Sequence, residues 1–174
     1  MLSIRKTLET IFGRIDKTNK PRVDFFIELF EIIPCIRGRL NFTNLARYSK
    51  YNECTFRRHF SKFFDWLKFN YMILEFLFIP ECPEVIAAID CSYISKAGKH
   101  TYGLDKFWSG VAKCVKKGLE ISLVSLIDVS QEQAWSFSVA QTPSGLSSKE
   151  GTQHDYTRTN FYAEQLEKCV LQLP

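Results

Sequence analysis

The spacing of apolar residues changes once along this chain, at Pro80-Glu-Cys-Pro83, and that change constrains the fold more than any other feature. Before it, Val23, Phe26, Ile27, Phe30 and Ile33 recur at intervals of three and four, which places them on one helical face. Pro21 sits just inside the expected helix start, where its missing N–H costs nothing, and Pro34 ends the pattern. After the break, residues 85–94 form a short apolar run with β-branched members, which predicts a strand. The pattern then predicts strands at 107–115, 119–129 and 134–140. Lys116-Lys-Gly118 is expected as a turn, with Gly118 free to take positive φ. Residues 142–155 are polar and predict a loop. Residues 160–173 predict a closing helix capped by Asn160, with Phe161, Leu166, Val170 and Leu173 on its apolar face. The fold class is therefore α+β, with a helical module at 1–82 and a strand-rich domain at 83–174.

An apolar share of 45% is too high for a disordered chain, and 174 residues suit one domain or two small ones. The longest apolar stretches, 24–34 and 70–80, fall well short of the ~20 residues a membrane helix needs, so no membrane association is expected. The segment after Met1 lacks the basic-then-apolar pattern of a signal peptide, which predicts a cytoplasmic protein. The six cysteines (35, 54, 82, 91, 114, 169) contain no Cys-x-x-Cys pair. They are expected to be reduced and mostly buried, and no spacing with the three histidines matches a zinc module.

The positive charge is local. Residues 37–68 hold eight basic side chains against Glu53 and Asp65, a balance of +6, whereas residues 85–174 hold nine basic and nine acidic residues. Within the basic segment the pattern predicts two short helices, 43–48 and 53–68. Residues 49–52 form the turn between them, and Asn52 caps the second helix. Phe56, Phe60, Phe63, Phe64 and Leu67 are its expected buried stripe; Arg57, Arg58, Ser61, Lys62 and Asp65 lie off it. This is the shape of a helix-turn-helix, whose second helix enters the major groove while basic residues meet phosphates. Arg47, Lys50, Arg57, Arg58 and Lys62 are the expected contacts to double-stranded DNA. A short helical hairpin with a solvated basic face has the same pattern. Lys96 and Lys99, with Lys113, Lys116 and Lys117, are further DNA contacts or a solvated strand edge and turn.

Asp90 stands out in the second half. It follows Ala87-Ala-Ile89 in an apolar strand, where a lone buried carboxylate is costly unless it is bonded or holds a cation. A structural hydrogen-bonded role and a metal-ligating role both fit, and an oxygen-rich magnesium site would suit phosphodiester chemistry. Trp108 and Trp135 read as core residues or base-stacking platforms, and Glu120 as a strand-edge acid.

The run Ile89-Asp-Cys-Ser-Tyr-Ile-Ser-Lys-Ala-Gly-Lys99, followed by Phe107-Trp-Ser-Gly110, Lys117-Gly-Leu-Glu120 and Gln141-Thr-Pro143, resembles bacterial insertion-sequence transposases of the DDE class. The resemblance covers roughly residues 37–143. It implies a ribonuclease-H-like catalytic domain: a meander of three antiparallel strands, a helix, then a strand with the second Asp and a later helix with the Glu. It implies that Asp90 is the first catalytic, metal-binding carboxylate. It also implies Mg2+ or Mn2+ in the complete enzyme, transposon-end DNA as partner, and DNA transposition by strand cleavage and joining. It leaves room for a homodimer of that enzyme. The sequence ends at Pro174, before the second Asp and the Glu of the pattern, so a truncated ribonuclease-H-like domain, inactive alone, is expected. Asp128 and Asp155 are the substitutes within reach. Asp128, two strands away in such a meander, would lie ~9–10 Å from Asp90 across the sheet. The rival readings are a non-enzymatic helix-turn-helix DNA-binding regulator and a plain α+β interaction module.

Overall fold

A computed structural model describes residues 4–15, 19–78, 85–146 and 156–173. Among these residues the chain is α+β, with six α-helices and an open antiparallel sheet of four strands. Its internal contacts divide it into Met1–Phe76 and Leu77–Pro174. The Pro80–Pro83 break, Cys82, and most of the 142–155 loop with Asp155 lie outside the described residues. No helix among the described residues is long and apolar enough to cross a membrane.

The first unit is built from α1 (Ile4–Arg14), α2 (Lys20–Ile32) with a short 3-10 turn (Ile33–Cys35), α3 (Phe42–Tyr48), α4 (Glu53–Phe60) and α5 (Trp66–Phe78). The Asn19 side chain accepts from the Arg22 N–H at the start of α2, and Pro21 stands in its first turn, as the sequence predicts. Phe25, Phe26, Ile27, Leu29 and Ile32 are the buried side of α2. They join Leu8, Ile11 and Phe12 of α1, Leu45, Phe56, Phe64 and Phe69 in one apolar core. The core is mostly aromatic. Phe25 is fully buried, with ring centroids of Phe26, Tyr51, Phe56 and His59 within 5.6 Å.

The second predicted helix of the basic segment stops at Phe60 instead of reaching 68. Two side chains explain the break. Asp65, read from sequence only as an acid off the stripe, accepts from the Lys68 N–H at 3.0 Å and so caps a new helix, α5. Arg22 of α2 reaches over and donates to the carbonyls of Lys62 (3.1 Å) and Phe63 (2.6 Å), which serves the backbone between α4 and α5. The stripe consequently splits: Phe56 and Phe64 are buried, while Phe60 and Phe63 are exposed.

The second unit is a sheet of β1 (Val85–Ser95), β2 (Asp105–Ser109), β3 (Cys114–Asp128) and β4 (Gln133–Gln141), followed by α6 (Arg158–Val170). The expected neighbour order does not hold. β3 is fifteen residues long, pairs with β1 along one side, and pairs with both β2 and β4 along the other. The predicted turn at 116–118 lies inside β3, and the strand predicted at 107–115 ends at Ser109. The chain turns at 110–113 instead, where Lys113 takes the left-handed conformation (φ 49°) that the sequence assigned to Gly118. Gly118 is needed for space: a Cβ there would stand 2.5 Å from both the Ile94 carbonyl oxygen and the Tyr93 ring.

One face of the sheet carries α6. Thr157 caps this helix and Asn160 reciprocates from the third position, so Asn160 is half of a capping box and not the cap itself. The buried positions of α6 are Gln165 and Cys169, whereas Val170, expected on the apolar face, is exposed. Cys169 is also the one buried thiol among the five described cysteines; Cys35, Cys54, Cys91 and Cys114 are exposed, contrary to the expected burial. Trp108, expected in the core, is 58% exposed.

Candidate functional site

Two places carry the chemistry expected from sequence: the turn between α3 and α4, and the middle of β1. At the first, Asn41 and Asn52 cap the two helices through the N–H groups of Asn44 and Thr55, both at 2.8 Å. Glu28 of α2 fixes the turn from below. Its carboxylate accepts from the Ser49 hydroxyl (3.0 Å) and the Lys50 N–H (3.1 Å), and pairs with the Lys50 ammonium at 3.3 Å. Burial pushes the Glu28 carboxyl up, but these bonds outweigh it and hold the group below the usual carboxylate range. Glu28 was not among the sequence candidates. Its signal was an acid inside an apolar helix, which reads as functional only once the turn above it is known.

The basic side chains divide by whether the fold already uses them. Lys50 is engaged by Glu28 and lies over the Tyr51 ring. Arg57 donates to Glu53 through Nε at 2.9 Å and covers the Phe42 ring. The Arg57 bond, the Thr43 hydroxyl and, in opposition, slight burial set the Glu53 carboxyl below its ordinary value. Arg47, Arg58 and Lys62 are exposed on or beside α3 and α4. Lys96 and Lys99 are exposed in the segment after β1, within the second unit.

Asp90 is not where a buried metal ligand would be. Side chains alternate along a strand. On β3, Gly118, Glu120, Ser122, Val124, Leu126 and Asp128 form the buried row that faces α6. On β1 the matching row holds Cys91, opposite Ser122, and Tyr93, opposite Glu120. Asp90 pairs with Leu123 and therefore belongs to the other face, where it is exposed. Its desolvation is small, so the sequence argument from a costly buried charge does not apply.

The other carboxylates are occupied elsewhere. Asp128 stands opposite Val85, not two strands away. It is on the neighbouring strand but five positions beyond Leu123, roughly 17 Å along the sheet. It is also on the α6 face, where its Oδ1 accepts from the Ser130 hydroxyl (2.6 Å) and the Gln131 N–H (3.0 Å) and so organises the β3–β4 turn. Glu120, expected at a strand edge, is buried in the central strand and accepts from the hydroxyls of Thr142 (3.0 Å) and Tyr162. Among the described residues no group of three His, Cys, Asp or Glu side chains is placed to hold a metal ion. The donor set around Asp90 therefore does not fit the divalent-ion site that the resemblance implies.

The face that bears Asp90 mixes apolar residues with Ser92, Lys117, Ser125 and Gln141. Ile86 and Val139 are 50% and 63% exposed there, and Trp108 and Val115 pair with each other at its β2 end. Comparison with known proteins returns no matching family model, no matching curated protein and no matching solved structure.

Proposed function

We propose that this chain is a DNA-binding protein and that its second unit belongs to the ribonuclease-H-like domain of a DDE transposase. The observation that carries the DNA-binding part is the rigid α3–turn–α4 pair. It is pinned by Glu28 and two asparagine caps, and Arg47, Arg57, Arg58 and Lys62 are exposed around it. Rigidity matters because a helix offered to a groove must not pay for its own ordering on contact. Phosphate neutralisation by these cations releases counterions, so affinity falls steeply as salt rises.

The transposase part draws on chain order. Antiparallel strands joined through β3 precede α6, and Asp90 lies on the first strand, in keeping with the resemblance carried by the 89–99 run. The described carboxylates do not assemble an ion site, so no metal-dependent step is assigned to these residues, and we propose that they bind DNA without cutting it. That same donor set favours, as second reading, a DNA-binding regulator without enzymatic activity.

Fluorescence anisotropy of the full chain with labelled 20-base-pair duplexes tests the binding claim. Binding with a log–log salt slope of several units is expected; a flat salt response or no binding overturns it. A nicking assay with Mg2+ tests the second claim. No cleavage is expected, and robust cleavage abolished by Asp90→Ala would overturn it.

A further inference from the structure

The start of α2 and the end of α4 meet at a cleft of about 220 Å³, lined by Asn19, Pro21, Arg22, Arg58, His59 and Lys62. This is smaller than the ~300–1,000 Å³ of pockets for drug-sized ligands, and it suits a small group. None of the six lining residues is acidic. Three cations and an imidazole thus converge without a carboxylate among them, whereas Lys50 and Arg57 nearby are each matched by a glutamate. Like charges held together repel, and an anion relieves that repulsion.

Two further observations fit an anion. Arg22 Nε and His59 Nδ1 lack a hydrogen-bond partner, which leaves the lining electrostatically uncompensated; being closed off from solvent, these two nitrogens do not themselves touch a ligand in the cleft. The geometry is also fixed in advance. The Arg22 guanidinium is held by the Lys62 and Phe63 carbonyls and lies over the Phe26 and Phe64 rings. The His59 ring stacks on Phe25 at 4.0 Å, nearly parallel.

We infer that this cleft seats one backbone phosphate of nucleic acid, held by Arg58 and Lys62 against the fixed charge of Arg22, with His59 as a fourth donor when protonated. This rests on the DNA-binding reading and deepens it by locating a phosphate contact that the helix-turn-helix pattern alone does not give. In the free protein, burial first and then the charges of Arg58, Lys62 and Arg22 hold the His59 imidazole below its usual value. A seated phosphate offsets part of that positive field and accepts from the ring, so the imidazole titrates at higher pH in the complex.

The test uses the full chain and the double variant Arg58→Ala/Lys62→Ala, with Lys6→Ala/Lys168→Ala, two exposed lysines on α1 and α6, as the control. Arg58 and Lys62 are exposed, and unchanged circular dichroism melting shows that the variant folds. On two duplexes of unrelated sequence, the cleft variant is expected to bind on the order of tenfold more weakly, with a salt slope lower by about two, alike on both. His59 ring signals, followed by NMR in a pH titration, are expected to shift to a higher midpoint when duplex is added. An unaltered slope in the cleft variant together with an unmoved His59 overturns the cleft assignment while DNA binding stands. A wild-type chain that ignores DNA but whose His59 responds to millimolar inorganic phosphate makes this a free-anion pocket and overturns the nucleic-acid assignment. A response to neither overturns both readings.

Discussion

Phe25 in the helical unit and Glu120 in the sheet unit are both buried, and their surroundings differ in kind. Phe25 meets other rings: Phe26, Phe56, Tyr51 and the stacked His59. Glu120 meets hydroxyls: Thr142 bonds it from the segment after β4 and Tyr162 bonds it from α6. The pattern extends outward from each. The helical unit is closed by Phe12, Phe64 and Phe69. On the sheet, Ser122 donates to the Gln165 side chain, and Gln165 donates in turn to the carbonyl and hydroxyl of Ser138, both at 3.3 Å. Arg158 donates to the Lys106 carbonyl and covers the Phe107 ring. Apolar packing is non-directional and tolerates small shifts, while a buried hydrogen-bond network fixes one register and is costly when one member goes missing. The helical unit is thus held by burial, and the α6–sheet contact by direction.

The largest effect follows from the first half of that contrast. Phe25→Ala removes a fully buried ring and leaves a cavity, a change that costs about 3–5 kcal/mol. Amide hydrogen exchange with urea titration is expected to place the loss in α2, α3 and α4. An equal loss across β1, β3 and α6 would break the distinction between the two units.

Next comes Gly118→Ala. The added methyl must displace the Ile94 carbonyl, which is backbone and cannot swing away, along with the Tyr93 ring. Overpacking of this kind costs roughly 1–3 kcal/mol. The loss should appear as faster exchange at the β1–β3 pairs near Ser95 and Ile94, with α2–α4 unchanged.

Gly118 also marks how far the sequence could be read. In the helical unit the important information is periodic, so α2, the α3–α4 turn and the Asn52 cap were legible from spacing and cap residues alone. What was missed there, the break after Phe60, depends on Arg22, forty residues upstream of the carbonyl it serves. In the sheet unit the strands were legible but their neighbours were not. Lys-Lys-Gly has the composition of a turn, and only its pairing makes it strand: Gly118 lies between Ser95 of β1 and Asp105 of β2, and Lys116 and Lys117 pair with Phe107 and Lys106. Asp90 was singled out on the premise of burial, and the register puts it on the exposed face. Glu120 was passed over, although it is, with Asp128, one of two acids buried among the described residues, because its partners Thr142 and Tyr162 are 22 and 42 residues away.

Glu120 sharpens the comparison from the other side. Glu120→Ala leaves the Thr142 and Tyr162 hydroxyls without their acceptor, at a cost of about 1–3 kcal/mol. Glu120→Gln keeps a carbonyl oxygen at the same place and is expected to cost clearly less. Thermal melts of both variants decide this. Equal losses would mean that shape, not the hydrogen bonds, matters at this contact, and the two units would then be held by the same means.

The smallest effect separates the units by pH. In the helical unit, the Glu28 and Glu53 carboxyls are held below their ordinary value and the His59 imidazole below its own. A depressed group stabilises the fold above its unfolded-state value and gives that stability up as pH falls through its folded value. His59 therefore withdraws stability from about pH 6.5 downward and the two glutamates from about pH 4.3 downward. In the sheet unit, burial and then the bond to Glu120 push the Tyr162 phenol well above its usual value. A raised group works in the opposite sense: its contribution is full below about pH 10 and is lost as pH rises above that. Asp105, held low by the Gly145 and Lys106 N–H groups against burial, adds a weaker acid limb to the sheet unit. Residue-resolved hydrogen exchange, corrected for intrinsic rates, is expected to find α2–α4 loosening first between pH 6.5 and 4. Tyr162→Phe should shrink the alkaline loss near α6, the rest belonging to the buried Cys169 thiol and to Tyr156, both also pushed up. If α6 loosens above pH 10 in that variant as much as in the unaltered chain, the phenol is not the group that ties the helix to the sheet, and the directional account of the second unit fails at its centre.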